Sequence, residues 1–272
     1  MTWAAYQVTF GLLSPLHIGW RKLGNLQQTR PYVTGRSFWG ALTARLTREA
    51  GGSNYIDVGK DADEQLAFTY FYPSIQRDGI SLWPWPDDQW DKFTWTFLGS
   101  YASTALENAR NAEAGSLHET EYIAPYTREG QQVYLVGYIF ERDNCNLDWK
   151  SALGKLQLGG ERGYGWGRVH AKDGYKKIND NNCFDYDVLL DSDRPKLKAL
   201  GNLHMLAHTR ADIDNVGNRG VAIEPLIGRE TKEVSGFGKN HSQAEICWIP
   251  GGSVNDGETF HIQQKGVWER LL

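Results

Sequence analysis

Leu158-Gly-Gly-Glu-Arg-Gly-Tyr-Gly-Trp-Gly-Arg-Val169 is the most distinctive stretch of the chain. It holds five glycines within nine residues, separated by two arginines and two aromatic residues: Arg162, Tyr164, Trp166 and Arg168. Glycine allows positive φ and close approach of the backbone, so N–H groups can face phosphate oxygens. Arginine adds a charged planar donor fork, and aromatic rings offer stacking faces for bases. The stretch therefore suits a nucleic-acid-binding loop or, alternatively, a tight turn with core aromatics.

Strands and helices alternate on either side of this loop. The predicted elements are a strand over 6–13, a helix beginning at residue 37, a buried strand over 133–140, a short helix capped by Asp148, and a strand from residue 167. In the first helix, Phe38, Leu42 and Leu46 form one apolar stripe, and Ser37 is the predicted N-cap. A dinucleotide-binding loop follows a strand and opens a helix, so this loop, preceded by a helix, is not one.

The segment between the first helix and the strand at 133 reads as an insertion at about 50–130. We expect a helix over 61–72 ended by Pro73, a rigid surface turn at 83–88, and a helix over about 103–113. The tryptophans of this segment, Trp83, Trp85, Trp90 and Trp95, favour a packed insertion over a base-stacking platform.

The order of elements fits a ferredoxin-like, or RRM-like, βαββαβ core with insertions. Downstream, Asp-rich turns precede predicted strands near 203–208, 221–227, 245–249 and 258–263. The predicted fold class is therefore α+β, with a second, smaller β-rich lobe. We expect one domain over 1–170 and another over 171–272.

The net charge of -4 argues at face value against nucleic acid, but the charge is unevenly distributed. No acidic residue precedes Glu49, and six basic residues do: Arg21, Lys22, Arg30, Arg36, Arg45 and Arg48. Local potential attracts phosphates more than net charge does, so this part of the chain is compatible with an RNA track. On the charge alone, a solvated face is the simpler interpretation of such a cluster. Acidic residues concentrate in 57–91, which we interpret as a surface facing away from RNA.

Two further motifs precede this acidic segment: 14–19, Ser-Pro-Leu-His-Ile-Gly, and 34–42, Thr-Gly-Arg-Ser-Phe-Trp-Gly-Ala-Leu. A helix N-terminus offers free N–H groups to anions, and Arg36 lies at that start. His17 could act as the general acid-base group of a ribonuclease. The simpler interpretation is a structural histidine hydrogen-bonded at the end of a strand.

Together these motifs and the glycine-rich stretch resemble the RAMP superfamily of CRISPR-associated proteins. In that family an "spLhiG" strand end, a "PGSS-x-x-Ga-x-R" helix start and an "lGg-x-r-s-x-G-f-G" loop occur in this order, on an RRM-like fold. Thr34 stands where the family pattern usually has Pro. The resemblance spans about residues 6–170 and implies an RNA-binding protein of CRISPR antiviral defence.

Three features bear on the branch of the superfamily. The loop over 19–35 lacks the Asp of target-cleaving backbone subunits, and about 100 residues follow the glycine-rich loop, unlike in repeat-processing endonucleases. The segment 247–254, Cys-Trp-Ile-Pro-Gly-Gly-Ser-Val, resembles the "vPaGSv" segment of subunits that cap the 5′ handle of the guide RNA. The resemblance thus implies a non-catalytic subunit of a type III effector complex that grips the repeat-derived handle and contacts the large signalling subunit. The alternatives are a backbone RAMP subunit and a metal-independent repeat-RNA endoribonuclease using His17.

The expected partners are guide RNA (crRNA), other RAMP subunits and the signalling subunit, with no cofactor and no metal. The predicted RNA-binding residues are His17, Arg21, Lys22, Arg30, Arg36, Ser37, Gly159, Gly160, Arg162, Gly163, Tyr164, Gly165, Trp166, Gly167 and Arg168. The N-terminal residues lack a signal peptide's features and no apolar run is long enough for a membrane helix, so we expect a cytoplasmic protein. A calcium-loop-like pair at Asp212 and Asp214, and a possible metal pair at His204 and His208, lack the spacing of established sites. The three cysteines suggest buried thiols rather than disulfides.

Overall fold

A computed structural model describes residues 2–107, 111–171, 174–211, 219–232 and 236–271. The helices are α1 (Gly35–Glu49), α2 (Tyr55–Gln65), α3 (Asp87–Phe97) and α4 (Trp149–Ala152). The strands up to the glycine-rich loop are β1 (Trp3–Leu12), β2 (Gly19–Leu23), β3 (Leu26–Thr29), β4 (Leu66–Phe68), β5 (Tyr72–Ser74), β6 (Leu98–Ser103), β7 (His118–Ile123) and β8 (Tyr134–Arg142). The strands after it are β9 (Val169–His170), β10 (Tyr175–Lys177), β11 (Asn182–Cys183), β12 (Tyr186–Leu189), β13 (Lys196–Ala199), β14 (Leu203–His204), β15 (Thr209–Arg210), β16 (Ile223–Leu226), β17 (Arg229–Lys232), β18 (Gly236–His241), β19 (Glu245–Trp248), β20 (Ser253–Val254), β21 (Thr259–Ile262) and β22 (Trp268–Arg270).

The first sheet has the ferredoxin-like order. Strands β9 and β10 pair with β1, β1 pairs with β8, and β8 pairs with β4 and β5, all antiparallel. Taking β4 with β5 and β9 with β10 as single broken strands gives the spatial order 4-1-3-2 of a βαββαβ unit. The predicted α+β class and RRM-like core are therefore confirmed.

One face of this sheet packs against the helices. The apolar stripe of α1, formed by Phe38, Leu42 and Leu46, is buried together with Phe10 of β1. Phe38 stacks on Phe71 with ring centroids 4.6 Å apart. The N-cap of helix α1 is Thr34 rather than the predicted Ser37, because the Thr34 hydroxyl accepts a hydrogen bond from the Ser37 N–H at 3.2 Å.

The opposite face of the sheet packs against the C-terminal lobe. Trp3 and Phe140 from the first sheet share one buried cluster with Tyr186, Phe260 and Trp268 from the second lobe. That lobe is built on an eight-stranded sheet in the order β11-β12-β13-β21-β22-β15-β19-β16. The four predicted strand regions all contain strands there, which confirms the second β-rich lobe. The first sheet extends past residue 170 through β10, and the domain division at that residue stays a prediction.

The insertion differs from its prediction in three places. Residues 66–68 form a buried strand, because α2 ends at Gln65 and the apolar run Leu-Ala-Phe pairs with β8. The described residues of 103–113 contain no helix, because β6 ends at Ser103 and the chain that follows connects it to its hairpin partner β7. Trp85 in the predicted surface turn is only 8% exposed, because its ring packs edge-on to Tyr72.

Candidate nucleic-acid interface

The glycine-rich loop folds back onto the chain that leaves β1. The Gly167 N–H donates to the carbonyl of Pro15 at 2.7 Å, and the Gly160 N–H donates to the carbonyl of His17 at 2.8 Å. The Arg168 N–H donates to the Ser14 hydroxyl at 2.9 Å. Two motifs that lie about 150 residues apart in the sequence therefore form one continuous surface.

Two glycines are required by this close packing. At Gly159 (φ +73°) a Cβ would overlap the His17 carbonyl oxygen, and at Gly167 (φ +75°) it would overlap the Leu158 carbonyl oxygen. Their lack of a side chain serves the fold of the loop itself. The N–H groups of Gly160 and Gly167, expected to face phosphates, donate within the chain instead. These two N–H groups are therefore not free to bind a phosphate.

The outer turn of the loop presents those side chains to solvent. Residues 162–164 form one turn of 3₁₀-helix, followed by Gly165 with φ +82°. Arg162 and Arg168 are exposed, and Tyr164 is 84% exposed. In the described parts of the chain, neither guanidinium pairs with a carboxylate. The turn thus presents the charge of Arg162 beside the open ring of Tyr164, and Arg168 adds a second exposed charge immediately before β9. Exposed cations and aromatic rings are the groups that bind single-stranded RNA.

Trp166 connects the loop to the β6–β7 hairpin. Its ring meets Tyr122 edge-on at 5.2 Å between centroids and Tyr101 at 6.4 Å. Tyr101, which is 59% exposed, and Tyr164 both line a cleft of about 420 Å³ beside Trp166. This hairpin was not predicted from the sequence, although the run His118-Glu-Thr-Glu-Tyr-Ile123, with Thr, Tyr and Ile, could have indicated a strand.

His17 lies beneath the loop and is only 7% exposed. Its Nδ1 donates to the Glu121 carbonyl oxygen at 2.7 Å. The carboxylate of Glu121 accepts the Thr29 N–H at 2.9 Å, and burial raises the pKa of this carboxyl. His17 thus joins the end of β1 to β7, in the structural role that the simpler sequence interpretation gave it.

Arg21 and Lys22 lie exposed on the β2–β3 hairpin, as an RNA track requires. The Arg21 guanidinium lies 4.1 Å from the centre of the Trp20 ring and donates to Gln28 Oε1 at 2.8 Å. This pairing with neutral groups leaves its charge uncompensated.

Arg30, Arg36 and Ser37 each have a side-chain partner within the chain. Arg30 forms an ion pair with Glu224 of the second lobe at 2.7 Å, and its side chain is only 12% exposed. Arg36 forms a longer pair, 3.4 Å, with Glu230 of the same lobe. Ser37 shares a hydrogen bond with the Thr34 hydroxyl at the start of α1. The structure therefore places these two arginines at the junction of the lobes, where carboxylates neutralise them.

The Arg30–Glu224 pair belongs to a buried network around His208. His208 Nε2 donates to Glu224 Oε1 at 2.7 Å, and its Nδ1 accepts from the Tyr70 hydroxyl at 2.7 Å. Burial alone would raise the pKa of Glu224, but the hydrogen bond from His208 and the charge of Arg30 lower it to about 2. Burial lowers the pKa of His208, which favours the neutral ring that this hydrogen-bond pattern needs.

The two histidines considered as metal ligands, His204 and His208, have other partners in the structure. Within the described residues, no three His, Cys, Asp or Glu side chains group as metal ligands would. His204 donates from Nδ1 to the Gly251 carbonyl at 2.9 Å, and His208 belongs to the network above. Asp212 and Asp214 lie outside the described residues. Cys183 and Cys247 are buried, whereas Cys145 is partly exposed, and all three are free thiols.

Solved structures with a similar fold come from type III-B CRISPR complexes. A chain of the Cmr-beta complex bound to cognate target RNA and AMPPnP aligns with TM-score 0.52 and 12% identity, over 92% of this chain and 86% of its own. A chain of the apo Cmr-beta complex aligns with TM-score 0.39 and 11% identity, over 65% of this chain and 98% of its own. The first likeness, at that identity, shows a shared fold. No family model and no curated protein match the sequence.

No helix in the described ranges is both long and apolar enough to cross a membrane.

Proposed function

We propose that this chain is a non-catalytic RNA-binding subunit of a type III CRISPR effector complex, which grips the 5′ repeat-derived handle of the guide RNA. Its other partners are the neighbouring RAMP subunits and the large signalling subunit. The proposal joins the motif resemblance to the chemistry of the glycine-rich loop.

One observation carries the proposal. The loop is fixed by backbone hydrogen bonds to the chain that leaves β1. Its outer turn leaves Arg162 and Tyr164 facing solvent, and Arg168 is exposed immediately before β9. A rigid support with free charge and an open ring loses little conformational freedom when it binds a strand. Arg21 and Lys22 add charge on the β2–β3 hairpin, which leads directly from the same strand end.

The handle-gripping role rests on the second lobe. Residues 247–254, which resemble the segment of handle-capping subunits, cover the end of β19, the turn after it and β20, and β20 pairs with β14. The fold likeness to a chain of a Cmr-beta complex bound to target RNA supports the coarser part of the proposal, a component of a type III complex. The burial of His17 and its hydrogen bond to the Glu121 carbonyl weigh against a nuclease.

Purification of the tagged chain with its genomic neighbours, followed by sequencing of the bound small RNA, tests the role. We expect RNAs that share a repeat-derived 5′ end, and their loss in the Arg162→Ala/Arg168→Ala variant. RNAs retained unchanged in that variant would contradict the proposal.

The nuclease alternative is tested with labelled repeat RNA incubated with the purified chain in EDTA. We expect no product. Site-specific cleavage that His17→Ala abolishes would replace the proposed role by the endoribonuclease.

A further inference from the structure

A cleft of about 580 Å³ lies at the junction of the two lobes, away from the glycine-rich loop. Distant parts of the chain line it: the β2–β3 hairpin with residues 30–32, the Trp-Pro stretch together with the start of α3, and, from the second lobe, His204, residues 219–221 and the turn after β19. We call it the junction cleft, and the residues that matter to its chemistry are Trp20, Arg21, Trp85, Asp87, Trp90 and His204.

The aromatic walls of the junction cleft are held in place by the fold. Trp20 Nε1 donates to Glu224 Oε2 at 3.1 Å, which ties this ring to the buried network. Trp85 stacks on Trp83 with centroids 5.4 Å apart, and a Cβ at Gly251 would stand only 3.2 Å from the Trp85 ring. A preformed cleft with large fixed rings is what a flat aromatic ligand requires.

The polar groups of the junction cleft select an uncharged moiety. Arg30 and Arg219 line it, but Glu224 and Glu258 neutralise them, whereas the carboxylate of Asp87 in the first turn of α3 would repel a phosphate placed inside. His204 donates from Nδ1 to the Gly251 carbonyl, so in this tautomer Nε2 is the acceptor that a ligand N–H can meet. Arg21, exposed and stacked on Trp20, adds a positive charge to the same cleft. Indole rings and an imidazole acceptor that line one cleft, with a cation on the hairpin, match a nucleobase whose phosphate lies outside.

We propose that the junction cleft binds one unpaired nucleobase of a single-stranded RNA, stacked against Trp20 and Trp90, with the adjoining phosphate at Arg21. The inference deepens the proposed function and rests on it, because it assumes that the chain binds RNA. It adds a second contact point, separate from the outer turn of the glycine-rich loop.

Indole N–H resonances test the proposal directly. The full chain, labelled with ¹⁵N at its tryptophans, is titrated with the RNA hexaadenylate, and single Trp→Phe variants assign the signals. We expect saturable shifts at Trp20 and Trp90, and none at Trp95, which is 65% exposed and covered by Arg128 at 4.1 Å from its ring centre. Shifts at Trp166 alone would overturn the junction cleft and leave the proposed function standing. No shift at Trp20, Trp90 or Trp166 would contradict both the junction cleft and the proposed function.

A matched pair of variants on α3 gives the affinity. Trp90→Leu removes a 37% exposed ring from the junction cleft, whereas Trp95→Leu removes an even more exposed ring of the same helix that does not line it. We expect the Kd for hexaadenylate to rise ~10-fold in Trp90→Leu, the size of one lost base–aromatic stack, and to stay within about twofold in Trp95→Leu. Equal effects of the two substitutions would refute the site.

Discussion

Two pairs of arginines, all four predicted from the sequence to bind RNA, lie in opposite environments: one pair is exposed and the other is paired with carboxylates. Arg162 and Arg168 face solvent on the glycine-rich loop, and no carboxylate pairs with them in the described residues. Arg30 and Arg36 form ion pairs with carboxylates of the second lobe. An acid-free stretch of sequence therefore does not by itself make a basic surface, because the carboxylates that neutralise its arginines lie about 190 residues further along the chain.

The largest expected effect is on the free energy of unfolding, when the buried Arg30–Glu224 pair is broken. Glu224→Gln leaves the Arg30 guanidinium largely buried without its carboxylate, and we expect the free energy of unfolding to fall by about 3 kcal/mol. Arg162→Ala on the exposed loop should change it by less than about 0.5 kcal/mol. Urea denaturation at neutral pH measures both. Equal stabilities of the two variants would break the distinction between the environments.

The pH dependence of the same Glu224→Gln variant gives an internal control. The pKa of Glu224 is lowered in the folded chain to about 2 from 4.5, so its stabilising effect is present above pH 4.5 and is lost as the pH falls towards 2. The gap in unfolding free energy between wild type and variant should therefore narrow over that interval. A gap that does not change with pH would show that charge is not its cause.

The next effect concerns the support beneath the exposed arginines. Gly167→Ala places a Cβ against the Leu158 carbonyl at a φ of +75°, and we expect about 2–3 kcal/mol of destabilisation. Gly163→Ala is the matched control, because nothing lies within 4 Å of a Cβ there. Thermal unfolding of both variants measures the difference. If the two unfold alike, the loop is not fixed by close packing.

The sequence predicts the local parts of this comparison and misses its long-range parts. The stripe of Phe38, Leu42 and Leu46 predicts α1 from spacing alone, and Asp148 caps α4 through its own hydrogen bond to the Ser151 N–H. These features depend on neighbours within a few residues. The same holds for the four strand regions of the second lobe, whose apolar runs are local.

What the sequence cannot supply is the partner of each group. The charge on Arg30 looks free until β16 brings Glu224 beside it, and His17 looks reactive until β7 covers it. The β6–β7 hairpin was missed because Ser103 and Thr104 resemble helix caps, whereas strand pairing with β7 decides the structure. The residue types of the glycine-rich loop are visible in the sequence. That its N–H groups donate to residues 14–17 is not, because those acceptors lie about 150 residues earlier in the chain.

The most direct test of the central claim is the salt dependence of RNA binding. Fluorescence anisotropy with a labelled repeat-handle RNA compares wild type with Arg162→Ala/Arg168→Ala and with a charge-matched control, Lys177→Ala/Lys198→Ala, which removes two exposed lysines elsewhere. We expect the first variant to lose about tenfold in affinity and to reduce the slope of log K against log salt by about 1.4, because two phosphate contacts disappear. The control should retain the wild-type slope. An unchanged slope in the arginine variant, or an equal change in both, would contradict the assignment of RNA binding to the glycine-rich loop.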